Sequence, residues 1–153
     1  ENQASAVLVE STPLNIKVTV DPVLDVALVP SGAPFDETGT SLTLDFGVLY
    51  PGGIRDGDIM VRANSFYSLS LSSANGGVMV NPDPADASTV PYTLSIDGSP
   101  VALPAGTDTV IASGEGPTPV TGRRYGMEVL IGDYGMATEG QYQDTITVTV
   151  TAQ

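Results

Sequence analysis

Eighteen carboxylates, twelve Asp and six Glu, dominate the side chains able to do acid–base or metal chemistry in this 153-residue sequence. His, Cys and Trp are absent and Lys17 is the only lysine. That inventory excludes Ser–His and Cys–His nucleophile pairs, thiolate metal sites and a disulfide framework. The candidate carboxylate clusters are Asp56/Asp58, Asp83/Asp86 and Asp21/Asp25. Arg55-Asp56-Gly57-Asp58 has the composition of a calcium-loop fragment, but the further ligands and terminal Glu of such a loop are missing. A glycosidase needs two carboxylates facing each other across roughly 5–10 Å, and no spacing here sets any two so. The acids therefore read as solvated turn residues, with no catalytic residue, metal or cofactor expected. Arg123-Arg124, the single basic pair, is expected to serve local salt bridges or an acidic patch on a neighbour.

The formal net charge of −13 repels phosphate backbones and anionic lipid headgroups, so nucleic acid is not an expected partner. No apolar run approaches the roughly 20 residues of a transmembrane helix, and no membrane insertion is expected.

The elements that must carry any function are strands. Apolar residues alternate with polar ones at period two in Leu14-Ile16-Val18-Val20, Leu42-Leu44-Phe46-Val48, Ile59-Val61, Tyr67-Leu69-Leu71, Tyr92-Leu94-Ile96, Tyr125-Met127-Val129-Ile131 and Ile146-Val148-Val150. Breakers such as Pro51-Gly52-Gly53, Asn75-Gly76-Gly77 and Asp97-Gly98 separate them. Helical periodicity is nowhere sustained. Seven or more short strands predict an all-β, immunoglobulin-like β-sandwich. Residues 81–91 are too rich in proline for a central strand and read as a surface loop. Residues 104–124 read similarly, with room for one edge strand at Val110-Ile111. Two strand-length segments, 14–20 and Val23–Val29, flank Asp21-Pro22 near the start, and the pattern alone leaves open that both are ordinary first strands of one sheet.

Four local patterns resemble spore coat protein U-like domains, which include the pilins of archaic chaperone–usher pili. They are Leu44-Asp45-Phe46-Gly47-Val48-Leu49-Tyr50-Pro51-Gly52, Val61–Leu71, Pro91-Tyr92-Thr93-Leu94-Ser95-Ile96-Asp97-Gly98, and Gly140-Gln141-Tyr142-Gln143-Asp144-Thr145-Ile146-Thr147-Val148-Thr149-Val150. The resemblance as a whole spans roughly 14–153, in the family's order. The family usually carries a cysteine pair whose matching positions here are Leu24 and Ala63, where packing is expected to replace the crosslink.

The resemblance implies a sandwich lacking its last strand, completed by a donor strand from a neighbouring subunit, in a head-to-tail filament. It implies an N-terminal extension over 1–22 and a pilin domain over 23–153. The donor face is Leu14, Ile16, Val18 and Val20, with Val7 and Val9 as the alternative, and Asp21 and Pro22 form the hinge. The acceptor groove edges are Val26 and Leu28 on one side, Ile146, Val148 and Val150 on the other. Tyr142 is either a tyrosine corner or a strand-end aromatic. The implied partners are identical subunits, a periplasmic chaperone and an outer-membrane usher, and the implied location is a cell-surface pilus serving attachment and biofilm formation. A stand-alone carbohydrate-binding or surface-layer β-domain folded in cis is the competing reading, for which six Tyr, three Phe and no Trp are a poor sugar platform.

Overall fold

The computed structural model describes residues 9–83 and 85–153. Among these residues nine strands run β1 Leu24–Val29, β2 Ile54–Ala63, β3 Tyr67–Ser73, β4 Val78–Val80, β5 Thr89–Ile96, β6 Ser99–Val101, β7 Thr109–Glu115, β8 Arg123–Ile131 and β9 Ile146–Ala152. They form a six-stranded sheet ordered β1-β2-β8-β5-β4, with β6 also on β5, and a three-stranded sheet ordered β7-β3-β9. The ladders between these strands are all antiparallel. The two sheets pack as an immunoglobulin-like sandwich.

Alternation builds the core. Ile59, Val61 and Ala63 of β2, Tyr67, Leu69 and Leu71 of β3, Leu94 and Ile96 of β5, and Tyr125, Met127 and Val129 of β8 are buried between the sheets. The hydroxyls of Tyr67 and Tyr125 hydrogen-bond at 2.8 Å, which satisfies both polar ends inside the core. Asp97-Gly98 closes the β5–β6 hairpin as a two-residue loop with φ of 50° and 83°, the backbone a primed turn requires.

Residues 57–61 of β2 are continuously buried rather than alternating, because its outer face is covered as well. Ala27, Val29 and Met60 form a second cluster there under Ala33 and Phe35, and the Arg62 guanidinium lies 4.3 Å over the Phe35 ring. The covering loop is held by Asp58, 3% exposed, which accepts from Gly32 N at 2.7 Å and pairs with Arg124. Arg124 also donates to the carbonyl of Ala33 at 2.6 Å.

Three expectations need correction. The segment expected over 42–48 joins no ladder and keeps the alternation of a strand only to Phe46: Leu42, Leu44 and Phe46 pack on the core while Ser41, Thr43 and Asp45 face solvent, and Val48, expected on the inward face, is exposed. Segment 14–20 is a strand of neither sheet, so 14–20 and Val23–Val29 are not two first strands of one sheet. The loop expected over 81–91 ends earlier, since Thr89, Val90 and Pro91 belong to β5. Pro91 is tolerated because its carbonyl accepts from Gly132 N just past the end of β8, and its missing N–H lies on that same side. The edge strand near Val110-Ile111 is β7.

Leu24 stands directly opposite Ala63. Because Asn64 N donates to Val23 O, this is a non-hydrogen-bonded pair, whose Cα atoms lie about 4.5 Å apart in an antiparallel ladder, inside the range a disulfide spans. Replacing both, Leu24→Cys with Ala63→Cys, is expected to give a spontaneously oxidised bridge that stabilises the domain by about 2–4 kcal/mol. Thiol titration and urea melts check it; two titratable thiols after air oxidation would count against the register.

Candidate functional site

One flank of the sandwich is left open. Leu24, Val26 and Leu28 of β1, Leu42, Leu44 and Phe46 of the unladdered segment, and Ile146, Val148 and Val150 of β9 all point into the core yet are only partly buried. Their sheet positions explain this. β1 pairs only with β2, and β9 only with β3, among the described residues. The two strands approach each other across the flank. The inward face is therefore apolar while the β9 edge offers backbone donors and acceptors without a ladder partner, an arrangement that ordinarily invites another strand.

The poles of the groove follow from the registers. Residues 64–66 join the Ala63 end of β2 to the Tyr67 end of β3, so Leu24, paired with Ala63, and Ala152, paired with Tyr67, lie at one pole. Ile146, paired with Ser73, lies toward the other. Segment 42–46 lines that second half. Gly57 makes room for Leu42, since a Cβ there would stand 2.5 Å from Leu42 Cδ2. Arg55 Nε donates to Asp45 O at 2.9 Å, and its guanidinium lies 5.3 Å from the Phe46 ring centroid. The groove wall opposite β9 thus has two parts, β1 and then 42–46; sequence reasoning named only Val26 and Leu28 of β1. The signal was present in the period-two pattern of Leu42, Leu44 and Phe46.

Residues 9–20 enter neither sheet, and Leu14, Ile16, Val18 and Val20 are 74–86% exposed. Val9 is exposed as well, while Val7 lies outside the described residues. The structure thus places the four alternating aliphatics of the extension apart from the flank. Asp21 and Pro22 link them to β1, and Asn64 clamps that link: its Nδ2 donates to Asp21 O at 2.8 Å and its Oδ1 accepts from Val23 N at 2.9 Å. Asn64 went unnoticed among the sequence candidates, although it stands within the Val61–Leu71 pattern.

A second omission is Asp144, immediately before β9. Its carboxylate accepts from Ser73 Oγ at 2.5 Å, Asn75 N at 3.1 Å, Thr145 N at 2.8 Å and the Tyr92 hydroxyl. It ties the start of β9 to β3, to the β3–β4 turn and to β5 on the opposite sheet. Nearby, the Tyr142 hydroxyl donates to Thr138 O at 2.7 Å, a bond back to the upstream backbone of the kind a tyrosine corner makes.

The carboxylate pairs suggested by spacing are not assembled for chemistry. Asp58 is committed to Arg124 and Gly32, and Asp56 is exposed. Asp86 accepts from Thr138, Ser88 and Asn81, while Asp83 accepts from Ala85 N. Asp25 lies 3.9 Å from Arg62. Among the described residues, no group of three or more acidic residues is placed to hold a metal ion. Arg123 and Arg124 each take a salt-bridge partner within the chain, Glu115 and Asp58.

No family model matches the sequence, and no curated protein matches it. Solved structures do. The chain is similar, at 15% identity and a TM-score of 0.55, to a chain in the chaperone–tip adhesin complex of CFA/I fimbriae biogenesis, over 84% of its own length and 43% of that chain. It is also similar, at 18% identity and a TM-score of 0.44, to a chain in the CsuC–CsuE chaperone–tip adhesion subunit pre-assembly complex from the archaic chaperone–usher Csu pili of Acinetobacter baumannii, over 84% and 39%. What the likeness establishes is the fold. The chain spans less than half the length of either structural relative.

Burial raises the Tyr92 hydroxyl above the ordinary tyrosine value of about 10, and its hydrogen bond to Asp144 pushes the same way. Tyr125 is raised by burial and by its bond to Tyr67. Both groups favour the neutral form when folded, so their contribution is complete below about pH 10 and is lost as pH rises through the folded values. Unfolding free energy is expected to fall steeply above pH 10, and Tyr92→Phe to make that fall shallower. Denaturant melts between pH 8 and pH 12 measure it; an unchanged slope in Tyr92→Phe would refute the assignment to Tyr92.

Proposed function

We propose that this chain is a structural pilin subunit of the spore coat protein U-like kind, polymerising head-to-tail by donor-strand complementation into a chaperone–usher pilus. One observation carries the reading: a four-residue aliphatic face stands unburied on residues 14–20 while the same chain leaves an apolar flank open beside an unpaired strand edge. The strand-like extension of one copy suits the flank of the next. Seven residues extend about 23 Å, with all four aliphatics on one face. Burying them contributes roughly 6–12 kcal/mol, and each ladder hydrogen bond about 0.5–1.5 kcal/mol more. Ordering seven residues costs about 1–2 kcal/mol apiece.

Donor and acceptor surfaces differ, so the contact is heterologous and produces a fibre when its rotation does not close. The unfinished flank requires a stand-in before assembly, which is the part of a periplasmic chaperone, with an outer-membrane usher delivering subunits to a cell-surface filament. The similarity in fold to chains of chaperone–adhesin complexes supports that route. The acidic surface, at a net charge of −13, keeps neighbouring filaments apart at low salt. Attachment and biofilm formation are the roles such filaments serve.

Electron microscopy of the purified full-length protein is expected to show long unbranched fibres. Deleting residues 1–20 is expected to abolish them while leaving a domain able to accept an added donor peptide. Val18→Asp places an uncompensated carboxylate in an apolar groove, and filament yield is expected to fall by more than about tenfold. Fibres from the truncated chain, or normal yield from Val18→Asp, would refute the assignment of 14–20.

A further inference from the structure

We infer that Lys17 sets the register of the inserted segment by pairing with Asp45 of the receiving subunit, an inference that rests on the donor-strand reading above. When Leu14, Ile16, Val18 and Val20 face inward, period two turns Asn15, Lys17 and Thr19 outward. They then join the outer face of the three-stranded sheet. Beside β9 that face is uncharged: Thr147, Thr149 and Thr151 stand opposite Ser72, Ser70 and Ser68 in the register. Nothing on that side discriminates one two-residue shift of the donor from another.

The other rim does. Segment 41–46 turns Ser41, Thr43 and Asp45 outward, and Asp45 is the one acid among them. One carboxylate oxygen, Oδ1, accepts from Gly47 N at 2.8 Å. Asp45 enters no ion pair among the described residues. Arg55, the nearest cation on that rim, is turned to the Asp45 carbonyl, the Ile54 carbonyl and the Phe46 ring instead. Lys17 likewise enters no ion pair, whereas Arg62, Arg123 and Arg124 are committed within the domain.

Direction brings the two together. The extension leaves its own domain at the Leu24 pole, so a subunit stacked pole to pole in the same orientation enters the next groove at the opposite pole, with Val20 at the entrance. The donor then runs antiparallel to β9 and alongside 41–46, which occupies the entrance half. Adjacent strands place directly opposed side chains about 4.5–5.5 Å apart and diagonal ones about 7–8 Å apart, within reach of a lysine. A slip of two residues preserves the apolar face but separates the charges, so the pair selects one register among those that burial alone allows.

The sequence makes this directly readable, because Lys17 carries the only side-chain amine. Zero-length carbodiimide coupling of wild-type filaments, followed by peptide mapping, is expected to give an intersubunit amide between Lys17 and Asp45. Coupling of Lys17 to a different carboxylate, or to none, would overturn the pairing. Charge exchange supplies the second readout. Lys17→Glu and Asp45→Lys filaments are each expected to release subunits roughly five- to tenfold faster, and the double exchange to return within about threefold of wild type. Additive single effects in variants that still form fibres overturn the pairing alone. Wild-type protein that stays monomeric overturns the filament reading and the pairing with it.

Discussion

Among the described residues β9 has one unpaired edge, and that edge sets the terms for the rest of the fold. A sheet edge exposes alternating N–H and C=O groups, and here the same edge borders Ile146, Val148 and Val150, which face a core they only partly enter. A sandwich this size gains its stability from closing both sheets over one core, so a partly open flank lowers the gain of every inward residue along it. Leu24, Val26 and Leu28 feel the same deficit from the opposite side. An extended segment presenting aliphatics at period two and backbone groups at the strand spacing would satisfy both surfaces at once.

The rest of the domain compensates. Where β1 and β2 meet, the outer face is closed by the loop bearing Ala33 and Phe35, which gives those two strands a second buried layer. The Asp58–Arg124 pair fastens that loop, and its desolvation is tolerable because Gly32 N and Ala33 O supply further hydrogen bonds. At the other end Asp144 gathers donors from β3, β5 and the β3–β4 turn, fixing where β9 begins even though one of its edges is unpaired. A groove can serve as a template only if its walls hold still, and these two carboxylates, Asp58 buried and Asp144 partly buried, fasten one wall each.

The sequence was legible where period and turn chemistry agree. β3, β5, β8 and β9 follow from alternation, β2 only at Ile59 and Val61, and Asp97-Gly98 marks its hairpin because both residues must take positive φ. Segment 42–48 shows the limit: alternation reports the inward side for Leu42, Leu44 and Phe46 but not for the exposed Val48, and it does not say whether a neighbour exists to complete a ladder. Pro91 shows another, since a strand tolerates proline where the adjacent strand has just ended, a fact about tertiary order. At the candidate site, the aliphatics of 14–20 and 146–150 were readable as faces. Asn64 and Asp144 were not, because a lone polar residue at a strand end becomes meaningful only when folding delivers partners as distant as Asp21 and Tyr92.

The energetic terms also bear on how the proposed assembly would persist. Four buried aliphatics and a short ladder contribute an amount comparable in size to the cost of ordering the strand that brings them. Equilibrium affinity built that way is moderate. Loss of an inserted strand is different, since it exposes the groove and the aliphatic face together, before any partner recovers either. The barrier therefore reflects both surfaces while the net gain reflects only their difference from the free chain, and a filament held by such joints is stable chiefly because it comes apart slowly.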